Sequence, residues 1–268
     1  MSTVHTTTDL DLAGDQRKLE ELGAQHFREH QTAKDWRPLA GYLQRLGLPD
    51  GGRVLVVGCG PKPAAVQELL SLGFDAAGVE PIPGSFASAC QLVGADRMFL
   101  GTAEALSAPS ESFDAVVIHS VLEHVDSPDM AMAEAYRVLK PGGIAYVGTT
   151  NRKKFAVGGW NGEFRVPYYN WFPAIVKEGY VLRHLHYDPT LASYTPRPAV
   201  HWFTFADLCT LGRRVGFAWF YSSVDLMQDR SGIKGWVRRG VRWSPWIRAL
   251  VLTQLGGGIY MVKRPATT

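Results

Sequence analysis

The feature that most constrains this fold is a short apolar run, Arg53-Val-Leu-Val-Val57, which leads directly into Gly58-Cys59-Gly60. An unbroken run of this kind is typical of a central parallel strand whose two faces are both covered. A glycine-rich turn at the end of such a strand lets the backbone approach a ligand at the head of the sheet. The sequence therefore predicts an α/β core with a ligand site at this turn.

Segments with the periodicity of helices and strands alternate along much of the chain. Predicted strands lie near residues 53–57, 75–79, 97–100, 113–119, 143–149, 217–225 and 258–263. Predicted helices lie near residues 15–47, 63–72, 84–92, 128–139 and 204–214. The alternation indicates an open α/β sheet joined by right-handed crossovers.

The chain divides into four predicted parts. Residues 1–48 are a tail and a helical cap, and residues 49–150 form the ligand-binding core. Residues 151–200 interrupt the alternation and hold ten of the thirty aromatic residues, which predicts an aromatic-rich lid over the site. Residues 201–268 return to the core and carry a basic amphipathic insertion near 230–254.

Charge is segregated along the sequence. The formal net charge is only +3, yet residues 230–264 hold eight basic and no acidic residues, which leaves 20 basic against 25 acidic elsewhere.

No stretch reaches the roughly 18 apolar residues of a membrane span, and the first residues lack a signal-peptide pattern. The three cysteines form no CxxC pair, so neither a disulfide framework nor a thiolate zinc site is indicated. We expect a cytoplasmic protein, peripheral at the inner membrane face through its basic segment.

The residues after the first strand favour a nucleoside without phosphates. Pro61 and Pro63 remove two of the amide N–H groups that a dinucleotide fold aims at pyrophosphate. A ligand without phosphates loses little from this, and S-adenosylmethionine is the common nucleoside cofactor of that kind. Glu80 closes the second predicted strand 22 residues after Gly58, where a carboxylate can accept both ribose hydroxyls.

Five motifs carry a resemblance to a known family. They are Val54-Leu-Val-Val-Gly-Cys-Gly60, Gly101-Thr-Ala-Glu-Ala-Leu106, Ser112-Phe-Asp-Ala-Val-Val117, Val121-Leu-Glu-His-Val125 and Arg137-Val-Leu-Lys-Pro-Gly-Gly143. In this order and spacing the chain resembles class I S-adenosylmethionine-dependent methyltransferases, in particular the small-molecule group of methyltransferase type 11 that includes ubiquinone-biosynthesis enzymes. The resemblance implies a Rossmann-like, seven-stranded, mostly parallel sheet with helices on both faces and an antiparallel last strand.

The resemblance also assigns roles by position. The residues implied to bind the cofactor are Gly58, Cys59, Gly60, Glu80, Pro81, Thr102, Ala103, Glu104 and His119. Gly58 and Gly60 would flank the methionine part, and His119 would lie beside the sulfonium. Val56 and Thr102 stand where the family usually has aspartate. These departures leave open a protein that binds the cofactor without catalysis.

Several histidines are placed to assist methyl transfer to oxygen. A hydroxyl acceptor must lose its proton, and a general base contributes about 10² to 10⁴ in rate, with histidine the usual supplier. The candidates are His119, His124, His184, His186 and His201. We predict catalytic roles for His124, His201 and Glu123, and expect His124→Ala to abolish turnover while cofactor affinity stays within a few fold.

A metal ion is an alternative role for two of these residues. Some ubiquinone-pathway O-methyltransferases carry Glu-x-x-Glu-His at this place, where the three side chains hold a divalent ion. Here Ser120 takes the first place, so Glu123 and His124 remain as ligands, and their chemistry suits Mg²⁺. A histidine bound to metal cannot also be the base, so His124 has one role or the other.

The lid and the basic segment bear on the acceptor. Aromatic and hydrogen-bonding groups alternate in 160–171, which favours a small hydroxylated acceptor: a sugar, oligosaccharide or glycolipid first, and a quinone precursor, other phenol or isoprenoid metabolite as the alternative. The basic segment, in which Ser244-Pro245 caps a short apolar helix, indicates contact with an anionic membrane surface through 230–252 or with an anionic substrate. The sequence lacks the usual signatures of nucleic-acid methyltransferases, so no nucleic-acid partner is expected.

Overall fold

The computed structural model describes residues 35–149, 171–173, 175–176, 201–227, 240, 244–254 and 257–266. The chain separates into two compact units, one comprising residues 1–32 and 156–199 and the other residues 33–155 and 200–268. Within the first unit the structure describes only residues 171–173 and 175–176, of which Trp171, Ile175 and Val176 are exposed. The description below concerns the second unit.

The second unit is built on a seven-stranded sheet. Its strands are β1 (Arg53–Val57), β2 (Asp75–Glu80), β3 (Met98–Leu100), β4 (Phe113–His119), β5 (Leu139–Thr149), β6 (Trp219–Ser222) and β7 (Gly257–Val262). They lie in the order β3-β2-β1-β4-β5-β7-β6. β1 to β5 pair in parallel, whereas β7 is antiparallel to both β5 and β6. The predicted mostly parallel sheet with an antiparallel last strand is confirmed.

Helices surround the sheet. They are α1 (Arg37–Arg45), α2 (Ala64–Ser71), α3 (Pro83–Val93), α4 (Pro128–Val138), α5 (Phe205–Val215), α6 (Ser223–Leu226) and α7 (Pro245–Gln254). The predicted helices near 63–72, 84–92, 128–139 and 204–214 are confirmed to within one or two residues. Of the helix predicted over 15–47, the part before residue 35 lies outside the described residues. No helix in the described part of the chain is long and apolar enough to cross a membrane.

Two apolar clusters pack against opposite faces of the sheet. Alternate residues of β1 divide between them, Leu55 and Val57 on one face and Val54 and Val56 on the other. The first cluster joins the sheet to α4 and α5, and the second joins it to α1 and α2. The apolar run therefore forms a central strand that is covered on both faces, as the sequence predicts.

The strand predicted near 217–225 ends at Ser222 instead. The hydroxyl of Ser222 donates a hydrogen bond to Asp225 Oδ2 at 2.7 Å, and its backbone N–H donates to the same oxygen at 2.8 Å. Asp225 follows Ser222 by three residues, which is the spacing of a capping box. The chain therefore turns into α6 at this point. A polar capping pair overrides the apolar pattern that predicted a longer strand.

A buried lysine joins the end of β7 to the C-terminus of α4. Lys263 is 7% exposed, and its ammonium donates to the carbonyl oxygens of Leu139 at 2.7 Å and Tyr136 at 3.2 Å. It also lies 3.3 Å from Glu111 and over the ring of Tyr136. A cation at this end of a helix satisfies carbonyls that have no partner within the helix.

We predict that Lys263→Met lowers the free energy of unfolding by about 1–3 kcal/mol, because the carbonyls of Tyr136 and Leu139 lose their charged donor. Urea unfolding followed by circular dichroism measures this. The exposed neighbour Arg264→Met is the matched control and should cost less than about 0.5 kcal/mol. Equal effects of the two variants would contradict the role given to Lys263.

Candidate active site

The turn after β1 is shaped by two glycines with left-handed backbone. Gly58 has φ of 66° and Gly60 has φ of 73°. The amides of Gly58 and Cys59 both donate to the carbonyl of Val79, at 2.8 and 3.1 Å, which ties the turn to β2. A Cβ on Gly58 would lie 2.4 Å from Val121 Cγ2, so only glycine fits between the turn and the chain leaving β4. The order of strands reverses between β1 and β4, which is where such sheets bind ligands.

Glu80 completes a cradle beside this turn. Its carboxylate is buried, at 5% exposure, and accepts hydrogen bonds from the amides of Gly60 at 2.9 Å and Ile82 at 3.3 Å. A carboxylate has about four acceptor positions, so acceptor capacity remains for both hydroxyls of a ribose. Burial raises the pKa of Glu80, against the two backbone hydrogen bonds, which lower it.

The loop after β3 is held by an ion pair on α4. Arg137 donates to the carbonyls of Leu106 and Ala108, each at 2.9 Å, and Glu134 accepts the amide of Leu106 at 2.9 Å. The two side chains also bind each other, and this hydrogen bond holds the pKa of Glu134 below its usual range. Both polar groups of Leu106 are thereby fixed, which positions the loop that begins at Thr102.

The predicted cofactor residues of this loop have different surroundings. Thr102 is exposed, whereas Ala103 is buried in the core. Glu104 Oε1 accepts the amides of Asp126 at 2.8 Å and Ser127 at 3.5 Å, so its carboxylate joins the loop to the segment before α4. The structure therefore gives Glu104 a supporting position, and a cofactor contact for it remains a prediction. The exposed Pro81 follows Glu80 directly.

The segment between β4 and α4 turns sharply away from the sheet. Ser120 has φ of 53°, an uncommon value for a residue other than glycine, and its amide donates to Gly148 at 2.7 Å. The following turn is closed by a hydrogen bond from the amide of His124 to the carbonyl of Val121. It leaves Glu123 buried and His124 half-buried.

His201 joins this segment from a distant part of the sequence. Its backbone amide donates to the carbonyl of Glu123 at 3.2 Å, and its Nε2 lies 2.9 Å from the carbonyl oxygen of Val125. A carbonyl can only accept, so Nε2 carries the hydrogen and Nδ1 of the neutral ring is the proton acceptor. The structure thus brings His201, Glu123 and His124, the three predicted catalytic residues, onto neighbouring stretches of backbone.

His119 lies at the end of β4 within an aromatic cluster. Trp36 contacts its ring edge-on at 5.4 Å between centroids, and Tyr146 stacks on it at 6.1 Å. A Cβ on Gly148 would lie 2.3 Å from His119 Nδ1 and 2.7 Å from the Tyr146 hydroxyl. Gly148 therefore leaves the space that these two polar atoms enter.

Within the described ranges, no group of three or more His, Cys, Asp or Glu side chains could hold a metal ion. The Mg²⁺ site predicted at Glu123 and His124 stays a prediction. His184 and His186 lie outside the described residues, as does nearly all of the predicted lid.

Comparison with known proteins identifies the core. Residues 55–147 match the family model described as Methyltransferase domain. A solved S-adenosylmethionine-dependent methyltransferase from Thermotoga maritima, described as a possible histamine N-methyltransferase, is 25% identical with a TM-score of 0.50. The match covers 76% of this chain and 82% of that one. Residues 55–147 therefore match a methyltransferase domain, and their fold is similar to that of a solved S-adenosylmethionine-dependent methyltransferase.

Two relatives carry the same name. The Ubiquinone biosynthesis O-methyltransferase of Azorhizobium caulinodans is 30% identical over 197 residues, which are 71% of this chain and 63% of that protein. The Ubiquinone biosynthesis O-methyltransferase of Brucella anthropi is 34% identical over 113 residues, 41% of this chain and 45% of that protein. The chain thus spans less than two thirds of the length of either.

The cradle fits the cofactor of this class. Glu80 offers acceptors for a ribose, and the left-handed glycines Gly58 and Gly60 shape the turn beside it. Helix α2 starts at Ala64, directly after its N-cap Pro63, and the amide of Ala64 donates to the carbonyl of Lys62 at 2.7 Å. Neither this amide nor the two that Pro61 and Pro63 lack is offered to a phosphate. These observations agree with the predicted preference for a nucleoside without phosphates.

Three residues of the site were given no role from the sequence. Trp36 contacts His119, while Glu134 and Arg137 hold the loop at Leu106. The spacing of Glu134 and Arg137, three residues apart on a predicted helix, indicates an ion pair. No sequence signal shows that the pair reaches a loop thirty residues earlier, because that contact depends on tertiary packing.

We predict that Gly58→Ala weakens S-adenosylmethionine binding by more than about tenfold, because the added methyl group would collide with Val121. Titration calorimetry measures the affinity. Gly51→Ala is the matched control, since Gly51 has φ of 67° but its nearest neighbouring atom lies 4.0 Å from a built Cβ. Both variants carry left-handed strain, so equal loss of binding in both would contradict the steric explanation.

A second prediction concerns the pH dependence of cofactor binding. Protonation removes acceptor capacity from Glu80, and its raised pKa means that the proton binds at a higher pH than on an ordinary glutamate. Affinity should therefore fall as the pH is lowered through this raised pKa. Glu80→Gln should bind about 10- to 100-fold more weakly at neutral pH and lose this dependence. The exposed Asp96→Asn should behave as the unchanged protein does, and an identical pH profile in Glu80→Gln would refute the assignment.

Proposed function

We propose that the protein transfers a methyl group from S-adenosylmethionine to a phenolic hydroxyl of a small acceptor of the quinone-precursor type. The observation that carries the proposal is the Glu80 cradle, in which a buried carboxylate and the turn at Gly60 meet at the head of a methyltransferase domain. The relatives named Ubiquinone biosynthesis O-methyltransferase support oxygen as the acceptor atom and a quinone precursor as the substrate class.

S-adenosylmethionine, when bound, supplies a methyl group on a sulfonium that is already activated for displacement. The protein therefore has to position the acceptor, and orientation alone can contribute effective molarities of about 10⁵ to 10⁸ M. Glu80 would hold the ribose, while Gly58 and Gly60 would lie against the methionine part. The ion pair of Glu134 and Arg137 would act indirectly, by fixing the loop at Leu106.

His201 is the proposed general base. Its Nε2–H donates to the carbonyl of Val125, which fixes the ring orientation and leaves Nδ1 to take the proton of the acceptor. The proton would move from the phenolic oxygen to Nδ1 as that oxygen forms its bond to the methyl carbon, while the bond from this carbon to sulfur breaks and its electron pair stays on the sulfur. His124 and the buried Glu123 would orient the acceptor beside it.

Alternatively, Glu123 and His124 would hold Mg²⁺, which would bind the oxygens of the acceptor. Turnover measured with and without a chelator separates the two. Full activity in the presence of the chelator favours the metal-free arrangement, and loss that Mg²⁺ restores favours the metal.

The test of the reaction is incubation with methyl-labelled S-adenosylmethionine and a panel of catechols, other phenols and simple sugars. Label on a phenolic oxygen is expected. Label only on nitrogen or carbon would reject transfer to oxygen, and label only on sugars would reject the substrate class.

A second candidate, cofactor binding without catalysis, is favoured by Val56 and Thr102, where the family usually has aspartate. Tight binding without turnover on any acceptor would favour that candidate.

We predict that His201→Ala and His201→Gln each lower kcat by about 10² to 10⁴, with cofactor affinity unchanged. The glutamine amide can still donate to the Val125 carbonyl but cannot act as a base. The pair therefore separates a structural role from proton transfer. Near-normal kcat in His201→Gln, with loss only in His201→Ala, would assign His201 to structure.

A further inference from the structure

Helix α7 presents its apolar side chains to solvent. Trp246 is 87% exposed, Leu250 is 65% exposed and Ile247 is 46% exposed. On a helix these three residues lie on one face, since they are separated by one, three and four positions. A helix that packs on a soluble core places such residues against the core and its charges outward. In α7 the face that carries Trp246, Ile247 and Leu250 points to solvent instead, while Val251 and Leu252 are half-buried.

The one charged residue of α7 faces the protein. Arg248 makes two hydrogen bonds to the carboxylate of Asp225, at 2.6 and 2.8 Å. Asp225 in turn caps the start of α6 through Ser222. A bidentate pair of this kind fixes orientation as well as position. The pair therefore holds α7 with Trp246, Ile247 and Leu250 turned away from α6.

Topology places α7 at the substrate edge of the sheet. β6 runs antiparallel to β7, which runs antiparallel to β5, so β6 ends at the same edge as the parallel strands. α6 follows directly from the end of β6 at Ser222. After α7 the chain enters β7 at Gly257, which pairs with Thr149 at the end of β5. The connection from β6 into α6 and the connection from α7 into β7 are therefore both at the edge that carries Gly58, Glu80 and His119.

The sequence that precedes α7 is strongly basic. Residues 230–242 contain five basic residues, and no acidic residue occurs from 230 to 264. Exposed tryptophan and aliphatic side chains next to a basic segment match the chemistry of an anionic bilayer, with acyl chains beneath negative headgroups. A protein partner with a hydrophobic groove would satisfy the apolar face but would not account for the basic segment.

We infer that α7 is a membrane-surface contact, in which Trp246, Ile247 and Leu250 enter the headgroup boundary of an anionic lipid bilayer, and that the basic sequence before α7 accounts for the preference for anionic lipid. Binding there would turn the substrate edge of the sheet toward the lipid, where a lipophilic acceptor would be found. The contact depends on the surface of the protein and not on catalysis, so it can be tested whether or not the proposed methyl transfer is correct.

The experiment is flotation of the full chain with vesicles of phosphatidylcholine mixed with phosphatidylglycerol, and with vesicles of phosphatidylcholine alone. Binding to the anionic vesicles, weakened by salt, is expected. The double variant Trp246→Ser with Leu250→Ser should lower the affinity by more than about tenfold. Leu92→Ser, at a residue that is 51% exposed on α3, is the matched control and should bind as the unchanged protein does.

Circular dichroism and cofactor affinity establish that the double variant is folded. Three results would overturn the inference: no binding to anionic vesicles at low salt, equal binding to both vesicle types, or binding that the double variant retains. Light scattering addresses the other occupant of such a face, a second copy of the chain. A dimer that the double variant abolishes, together with absence of vesicle binding, would assign the face to self-association.

Discussion

The hydrogen bond between the Glu80 carboxylate and the Gly60 amide is the interaction on which the site depends. It joins the end of β2 to the turn after β1, and the same turn is tied to β2 again through Val79. The carboxylate is buried, so the hydrogen bonds that it accepts from backbone amides help to stabilise its charge. The turn and the Glu80 carboxylate are consequently one unit, and displacing either would displace the other.

Two further loops are fixed by hydrogen bonds from distant side chains to their backbone. Arg137 and Glu134 hold both polar groups of Leu106, and His201 binds the carbonyl of Val125. In each case a side chain from a distant part of the chain donates to, or accepts from, the backbone of a loop. This arrangement leaves the loops on the surface, where they can contact ligands, while their positions are set by the core. α7 adds an exposed apolar surface at the edge of the sheet where the parallel strands end.

The sequence was sufficient to predict the central strands and the cradle, because continuous apolar runs, glycines and a carboxylate at a set spacing are local signals. It was insufficient where a polar pair or a tertiary contact decides the structure. β6 ends early because Ser222 and Asp225 form a capping box, and Trp36 reaches His119 only because α1 packs on the sheet. The orientation of α7 is of the same kind, since its apolar pattern predicts a helix but the Arg248–Asp225 pair decides which face is exposed.

The central claim is that the turn at Gly58 and Gly60, with Glu80, is built for a nucleoside that carries no phosphate. Calorimetric titration of the protein with S-adenosylmethionine and, separately, with NAD tests this most directly, because both ligands offer a ribose to Glu80 but only NAD brings a pyrophosphate. We predict measurable binding of S-adenosylmethionine and none of NAD at the same concentrations. Tighter binding of NAD would contradict the account.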